Sequence, residues 1–216
     1  MNFYTAVLFA FSIFLPALVA MYRFENINRI YYPFLVLLWI AAMNELLSFL
    51  LLMNRLPNFI NNNVYGLIES MLIVLLFKNL GVLHNRKKLF YTLIAALLAV
   101  WLIENVVFSH LEGIGVYFRL TSSLAIVLLS ISMLNISLVD TKMNVFKNPD
   151  FLICTCYIVY FTFRIIIEMF WLYGLNSSDR FQLLVYELLN YVNLICNLIF
   201  MFAVLWMPRK QVFIMR

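Results

Sequence analysis

The feature that most constrains this chain is a series of seven apolar runs, each long enough to be a helix through a bilayer. They read as residues 3–22, 30–53, 62–80, 89–109, 114–138, 151–174 and 181–208. A helix rises only about 1.5 Å per residue, so about 20 apolar residues are needed to cross a hydrocarbon core of about 30 Å. Seven such runs use nearly all of the 216 residues and leave only short polar connections. The expected fold is therefore all-α: one polytopic integral membrane domain, residues 1–216, with seven transmembrane helices. Charged residues make up 12% of the chain against 65% hydrophobic. A water-soluble domain carries about twice that share of charge, which excludes a soluble enzyme or nucleic-acid binder. Pro16 falls inside the first run and is expected to kink it, whereas Pro33, Pro57, Pro149 and Pro208 fall at helix ends or in loops. The first run reads as a span, because no basic residue precedes it and no small-residue cleavage site follows it.

The basic residues orient the spans. With alternating crossings, Arg23, Arg29, Lys78, Arg86, Lys87, Lys88, Lys142, Lys147, Arg209, Lys210 and Arg216 share one side, and only Arg55 and Arg180 occupy the other. Loops rich in lysine and arginine stay in the cytoplasm, so the N-terminus is expected outside and the C-terminus inside. The net charge of +5 is then an orientation signal rather than a nucleic-acid footprint.

Seven ionisable residues interrupt the spans: Glu45, Glu69, Glu104, Arg119, Arg164, Glu168 and Glu187. An intramembrane charge costs about 2.5–3.5 kcal/mol at the bilayer centre and marks a functional site by default. Counted from the middle of each span, all seven lie roughly 2–10 Å towards the outer side, in one layer shared by six spans. Helical spacing agrees. Tyr157, Tyr160, Arg164, Glu168 and Trp171 share a face, on which Arg164 and Glu168 can pair. Tyr65 stands four residues before Glu69, and Tyr186, Asn190, Asn193 and Asn197 form a stripe beside Glu187. Two readings stay open: polar contacts that hold helices together in lipid, or an outward-facing pocket for a small molecule or cation. Two arginines neutralise two of five carboxylates, and the surplus favours the pocket. Its expected lining is Glu45, Tyr65, Glu69, Glu104, Arg119, Arg164, Glu168, Glu187, Asn190 and Asn193. The first span has only Thr5 and Ser12 to offer and is expected at the periphery.

Other chemistry finds no residues. His84 and His110 are far apart in loops, and Cys154, Cys156 and Cys196 lie inside apolar runs, so neither a metal site nor a disulfide is expected. No phosphate-binding glycine loop and no nucleophile–base pair can be read, so neither an enzyme nor a cofactor is expected.

Glu45-Leu46-Leu47, then Asn62, Asn63, Tyr65 and Glu69, then Asn148-Pro149, then Asn193 and Asn197 form a pattern over most of the chain. In this the sequence resembles small, uncharacterised bacterial seven-helix membrane proteins. It is also loosely similar to the seven-helix sensor modules associated with histidine kinases and LytTR-type regulators, which carry a signalling domain that this sequence does not show. The resemblance implies a seven-helix fold and a sensory role, with no ligand attached. The leading expectation is a bacterial inner-membrane sensor or accessory component. Its short cytoplasmic loops require a signalling partner, for which Arg86-Lys87-Lys88 or the C-terminal tail is the expected contact. The alternatives are a proton- or cation-coupled transporter of small solutes, and a structural subunit of a membrane complex.

Overall fold

The computed structural model describes residues 3–83, 86–108, 113, 115–140, 145–173 and 179–210. His84, His110, Lys142 and Arg216 lie outside the described residues, as do the side chains of Trp171, Arg180 and Tyr186.

The first span is two helices, α1 (Phe3–Ala10) and α2 (Phe14–Arg23), joined by a 3-10 turn over Phe11–Ile13. The turn sits where Pro16 acts. A proline ring crowds the carbonyl four residues earlier, here that of Ser12, and supplies no N–H to it, so the α-helical ladder cannot run through. After it come α3 (Tyr32–Met53), α4 (Phe59–Asn79), α5 (Lys87–Leu102), α6 (Val116–Asp140), α7 (Pro149–Leu172) and α8 (Asp179–Trp206). Helix α5 continues as a π-helix over Ile103–Phe108. Seven of these helical stretches are long and apolar enough to cross a membrane. Large apolar side chains such as Leu8, Leu18, Met21, Leu128 and Ile195 are exposed, which suits contact with lipid.

The element bounds differ from the sequence expectation by a few residues. Helix α4 starts at Phe59 rather than near 62, because Asn61 is a helix residue and not part of the loop. Asn61 donates from Nδ2 to Ser48 Oγ of α3 at 3.0 Å, and Asn63 is buried.

The two ends of the bundle are built differently. At one end the chain after α2 meets the chain after α8. The Asn28 amide donates to the Pro208 carbonyl at 3.0 Å and the Lys210 amide to the Asn26 carbonyl at 2.8 Å, around an isolated bridge between Ile27 and Arg209. Arg23 reaches across to the last carbonyls of α8, those of Val204 at 2.7 Å and Leu205. These carbonyls have no partner in the helix, and a guanidinium there also meets the negative end of the helix dipole. Tyr31 Oη donates to Asp150 at 2.8 Å and ties α7 to the same end. Arg23, Arg29, Lys78, Arg86, Lys87, Lys88, Lys147, Arg209 and Lys210 all belong here, so this is the basic end.

Just above it the middle of the bundle is packed with aromatic rings. Tyr157 contacts Phe34, Phe77, Phe161 and Phe200 edge-on, with centroids 5.6–6.4 Å apart. Phe34, Phe77 and Phe161 are buried to within 1% exposure, and Ile73, Leu38 and Ile153 fill the gaps between them. Ring quadrupoles favour such edge contacts. This layer leaves the polar residues at the opposite end.

Candidate functional site

The second half of α3, the start of α4, the end of α5, the start of α6, the second half of α7 and the first half of α8 converge towards the end away from the basic turns. Between them lies a cavity of about 520 Å3. Five of its lining residues are charged: Glu45, Glu104, Arg119, Arg164 and Glu168. Asn44, Asn62, Tyr65, Tyr117 and Tyr160 add polar groups, while Val116, Ile167, Leu172 and Leu189 make the apolar part of the wall. The lining is more polar than that of a usual small-molecule pocket, which suits a charged or strongly hydrogen-bonding occupant.

The charges are arranged by helix. Arg164 donates from Nη1 to Glu69 Oε2 of α4 at 2.8 Å. Arg119 of α6 donates from Nη1 to Glu168 Oε1 of α7 at 3.1 Å. Both ion pairs therefore cross between helices. The expected pairing of Arg164 with Glu168 along one helix is not the hydrogen bond formed. A cross-helix pair neutralises two buried charges and fixes two helices at once, which a pair within α7 would not do. Glu69 is buried behind Arg164 and takes a second bond from Tyr65 Oη at 3.2 Å.

Glu104 is held by backbone. Its carboxylate accepts from the amides of Tyr117 at 2.9 Å and Phe118 at 2.6 Å, in the first turn of α6. Those amides have no partner in their own helix, and the positive end of the helix dipole favours an anion there. The π-helical turn carries Glu104 to this position, and Gly115 makes the approach feasible. A β-carbon on Gly115 would stand 3.2 Å from the Asn105 side chain and 3.4 Å from Glu104. Asn63 clasps the same corner. Its Nδ2 donates to the Gly113 carbonyl at 2.8 Å, and its Oδ1 accepts from the Gly115 amide at 3.2 Å. The Trp101 indole donates to the Asn63 carbonyl at 2.9 Å.

This arrangement changes the charge arithmetic drawn from the sequence. A helix N-terminus supplies positive potential that a count of side chains omits, so the surplus of carboxylates is smaller by one. Glu45 is left in the cavity wall with no hydrogen-bond or ion-pair partner among the described residues. Next to it, Asn44 Oδ1 is buried and also unpartnered. Glu45 faces two spaces at once, since it also borders a groove of about 360 Å3 whose wall includes Phe11, Ser48, Phe49 and Asn190.

The remaining expected residues fall elsewhere. Asn190 lies in that side groove, not in the cavity. Glu187 and Asn193 lie outside the cavity lining on α8, where Leu189 takes the lining position. Asn197 is buried and donates to Ser12 Oγ of the first span at 2.8 Å, a contact between helices. The stripe of α8 is thus shared among different neighbours. The first span packs on α3 and α8, and its Val7, Ala10 and Phe11 border the side groove. Asn44, Asn62, Tyr117 and Tyr160 are cavity residues not in the expected lining. Three of these had a readable signal, since Asn44 adjoins Glu45, Asn62 stands three residues before Tyr65 on one helical face, and Tyr160 shares the face of Arg164 and Glu168.

Cys156 and Cys196 face one another across α7 and α8, each sulfur 3.7–3.9 Å from the other's carbonyl oxygen. Both are buried free thiols, as is Cys154.

No family model, curated protein or solved structure matches the chain.

Proposed function

We propose that the chain is a bacterial inner-membrane protein whose outward-facing cavity binds a small molecule or cation, and that it serves as a sensor or accessory component acting through a partner. The basic end, which gathers Arg23, Arg86, Lys87, Lys88, Arg209 and Lys210, supports an orientation with that end in the cytoplasm and the cavity facing out. The observation that carries the binding reading is Glu45. Every other charge lining the cavity is engaged, Arg119 with Glu168, Arg164 with Glu69 and Glu104 with backbone amides. Glu45 alone among the described lining charges has no partner, and a carboxylate in that position is a binding group for a cationic ligand. A purely structural polar network would not be expected to leave it so.

The aromatic layer of Phe34, Phe77, Tyr157, Phe161 and Phe200 lies below the cavity, and its tight packing supports binding over passage of a solute. The connections at the basic end are too short to hold an effector domain, and the exposed Arg86, Lys87 and Lys88 are the proposed contact for a partner.

A thermal-shift screen of the detergent-solubilised protein against metal cations and protonated amines tests the reading. At least one class is expected to raise Tm for the parent and not for Glu45→Gln. Equal shifts for parent and variant with every compound, or no shift with any, would overturn it.

A further inference from the structure

Resting on the reading of the cavity as a binding site, we propose that its occupant is an amphiphile with a primary-ammonium head group, whose acyl chain lies in the groove between α3 and α4. Three observations meet at this point. The first is the chemistry of the unpartnered groups. Glu45 offers a carboxylate and Asn44 a buried carbonyl oxygen, both acceptors, on adjacent residues of one wall. A primary ammonium brings three N–H donors and a positive charge, and so satisfies both. A quaternary ammonium has charge but no N–H, and would leave Asn44 Oδ1 unpaired.

The second observation is continuity. Asn44 and Tyr65 line the charged cavity and also a second groove of about 320 Å3 on the outside of the bundle. That groove is walled by Met43, Leu46, Leu47 and Leu50 of α3 with Val64 and Ile68 of α4, all of them exposed. From Ile40 to Leu50 it follows α3 for about 15 Å. A polar cavity and an apolar groove that share two residues fit one molecule with a polar head and an apolar chain. The third observation is a set of further donors in the same cavity. Arg119 and Arg164 line it, and each guanidinium, bonded through Nη1 to Glu168 or Glu69, has further N–H donors that a phosphodiester of a phosphoethanolamine head can accept from.

The test is native mass spectrometry of the full chain released from detergent micelles. The probes are phosphatidylethanolamine, phosphatidylcholine with the same acyl chains, and water-soluble glycerophosphoethanolamine. Phosphatidylethanolamine is expected to be retained at least about tenfold better than phosphatidylcholine, and Glu45→Gln to lose at least about tenfold of that retention. Val64→Trp, which fills the groove and leaves the cavity wall intact, is expected to lose the lipid but keep the soluble head-group compound. Equal retention of the two lipids, or full retention by Glu45→Gln, would overturn the proposal. If glycerophosphoethanolamine bound as tightly as the lipid and Val64→Trp had no effect, the amphiphile would be wrong while the cavity remained a binding site. Failure of a folded parent to bind any ammonium compound in this test would remove the ligand class, whereas the thermal-shift screen decides separately whether the cavity binds anything.

Discussion

At the scale of single residues, the cavity charges separate into those that hold the bundle and one that does not. Arg164 and Glu69 are side chains only 13% and 11% exposed. Removing one of such a pair strands the other in a poorly solvating environment, at a cost of about 3–5 kcal/mol. Arg164→Met is therefore expected to lower the thermal stability of the purified protein strongly. The double variant Glu69→Gln with Arg164→Met is expected to recover much of the loss. A double-mutant cycle by thermal unfolding in detergent checks this, and additive losses would argue against a coupled pair. Glu45→Gln should behave in the opposite way. It removes a charge that has no partner, so stability should be unchanged or higher while ligand response disappears. This split between stability and binding is what distinguishes a site residue from helix-joining polarity.

At the scale of elements, the π-helical end of α5 and the start of α6 act as one unit, locked by Glu104 and Asn63. Glu104→Ala leaves two first-turn amides of α6 without their acceptor, and a buried unsatisfied donor costs about 1–3 kcal/mol. Asn63→Ala is expected to cost a similar amount, because the Gly115 amide loses its partner. Hydrogen exchange should show the effect locally, with Tyr117 and Phe118 amides less protected in Glu104→Ala and the far end of α6 unchanged. Loss of protection along the whole helix would mean that the corner does more than cap α6.

The same elements show what was readable in the sequence. Helices such as α3 and α7 were legible to within two residues because each is one long, almost uninterrupted apolar run, of the length that crossing a bilayer would require. The polar layer was legible because charge is so scarce in the spans that depth alone groups Glu45, Glu104, Arg119, Arg164 and Glu168. Their partners were not. Helical spacing places Arg164 near Glu168, but whether it turns to Glu69 depends on how α4 and α7 face one another, a property of two helices that neither run encodes alone. The surplus of carboxylates was overcounted for a related reason, since the counter-charge of Glu104 is backbone and has no letter in the sequence. Asn190, Asn193 and Asn197 looked alike at their spacing, yet the neighbours of α8 differ along its length, so the three meet different surroundings.

At the scale of the molecule, two ends divide the work. The basic end is closed by backbone pairing between the segments around Ile27 and Arg209 and by Arg23 on the C-terminus of α8. Arg23→Ala is expected to lower Tm by a few degrees and to raise hydrogen exchange around Val204, without changing ligand response at the far end. A change in ligand response would instead mean that the two ends are coupled.

The central claim is that the polar cavity is a water-reachable site on the side of the membrane opposite the basic turns. Labelling of single cysteines in membrane vesicles tests it most directly, with Cys154, Cys156 and Cys196 replaced by serine. A cysteine at Asn62 or Leu189, both in the cavity wall, should react with a membrane-impermeant maleimide applied to the face away from the basic end. A cysteine at Leu38, 2% exposed in the core, should stay unlabelled until denaturation. Reaction of the two cavity positions only from the basic side, or only after unfolding, would contradict the claim.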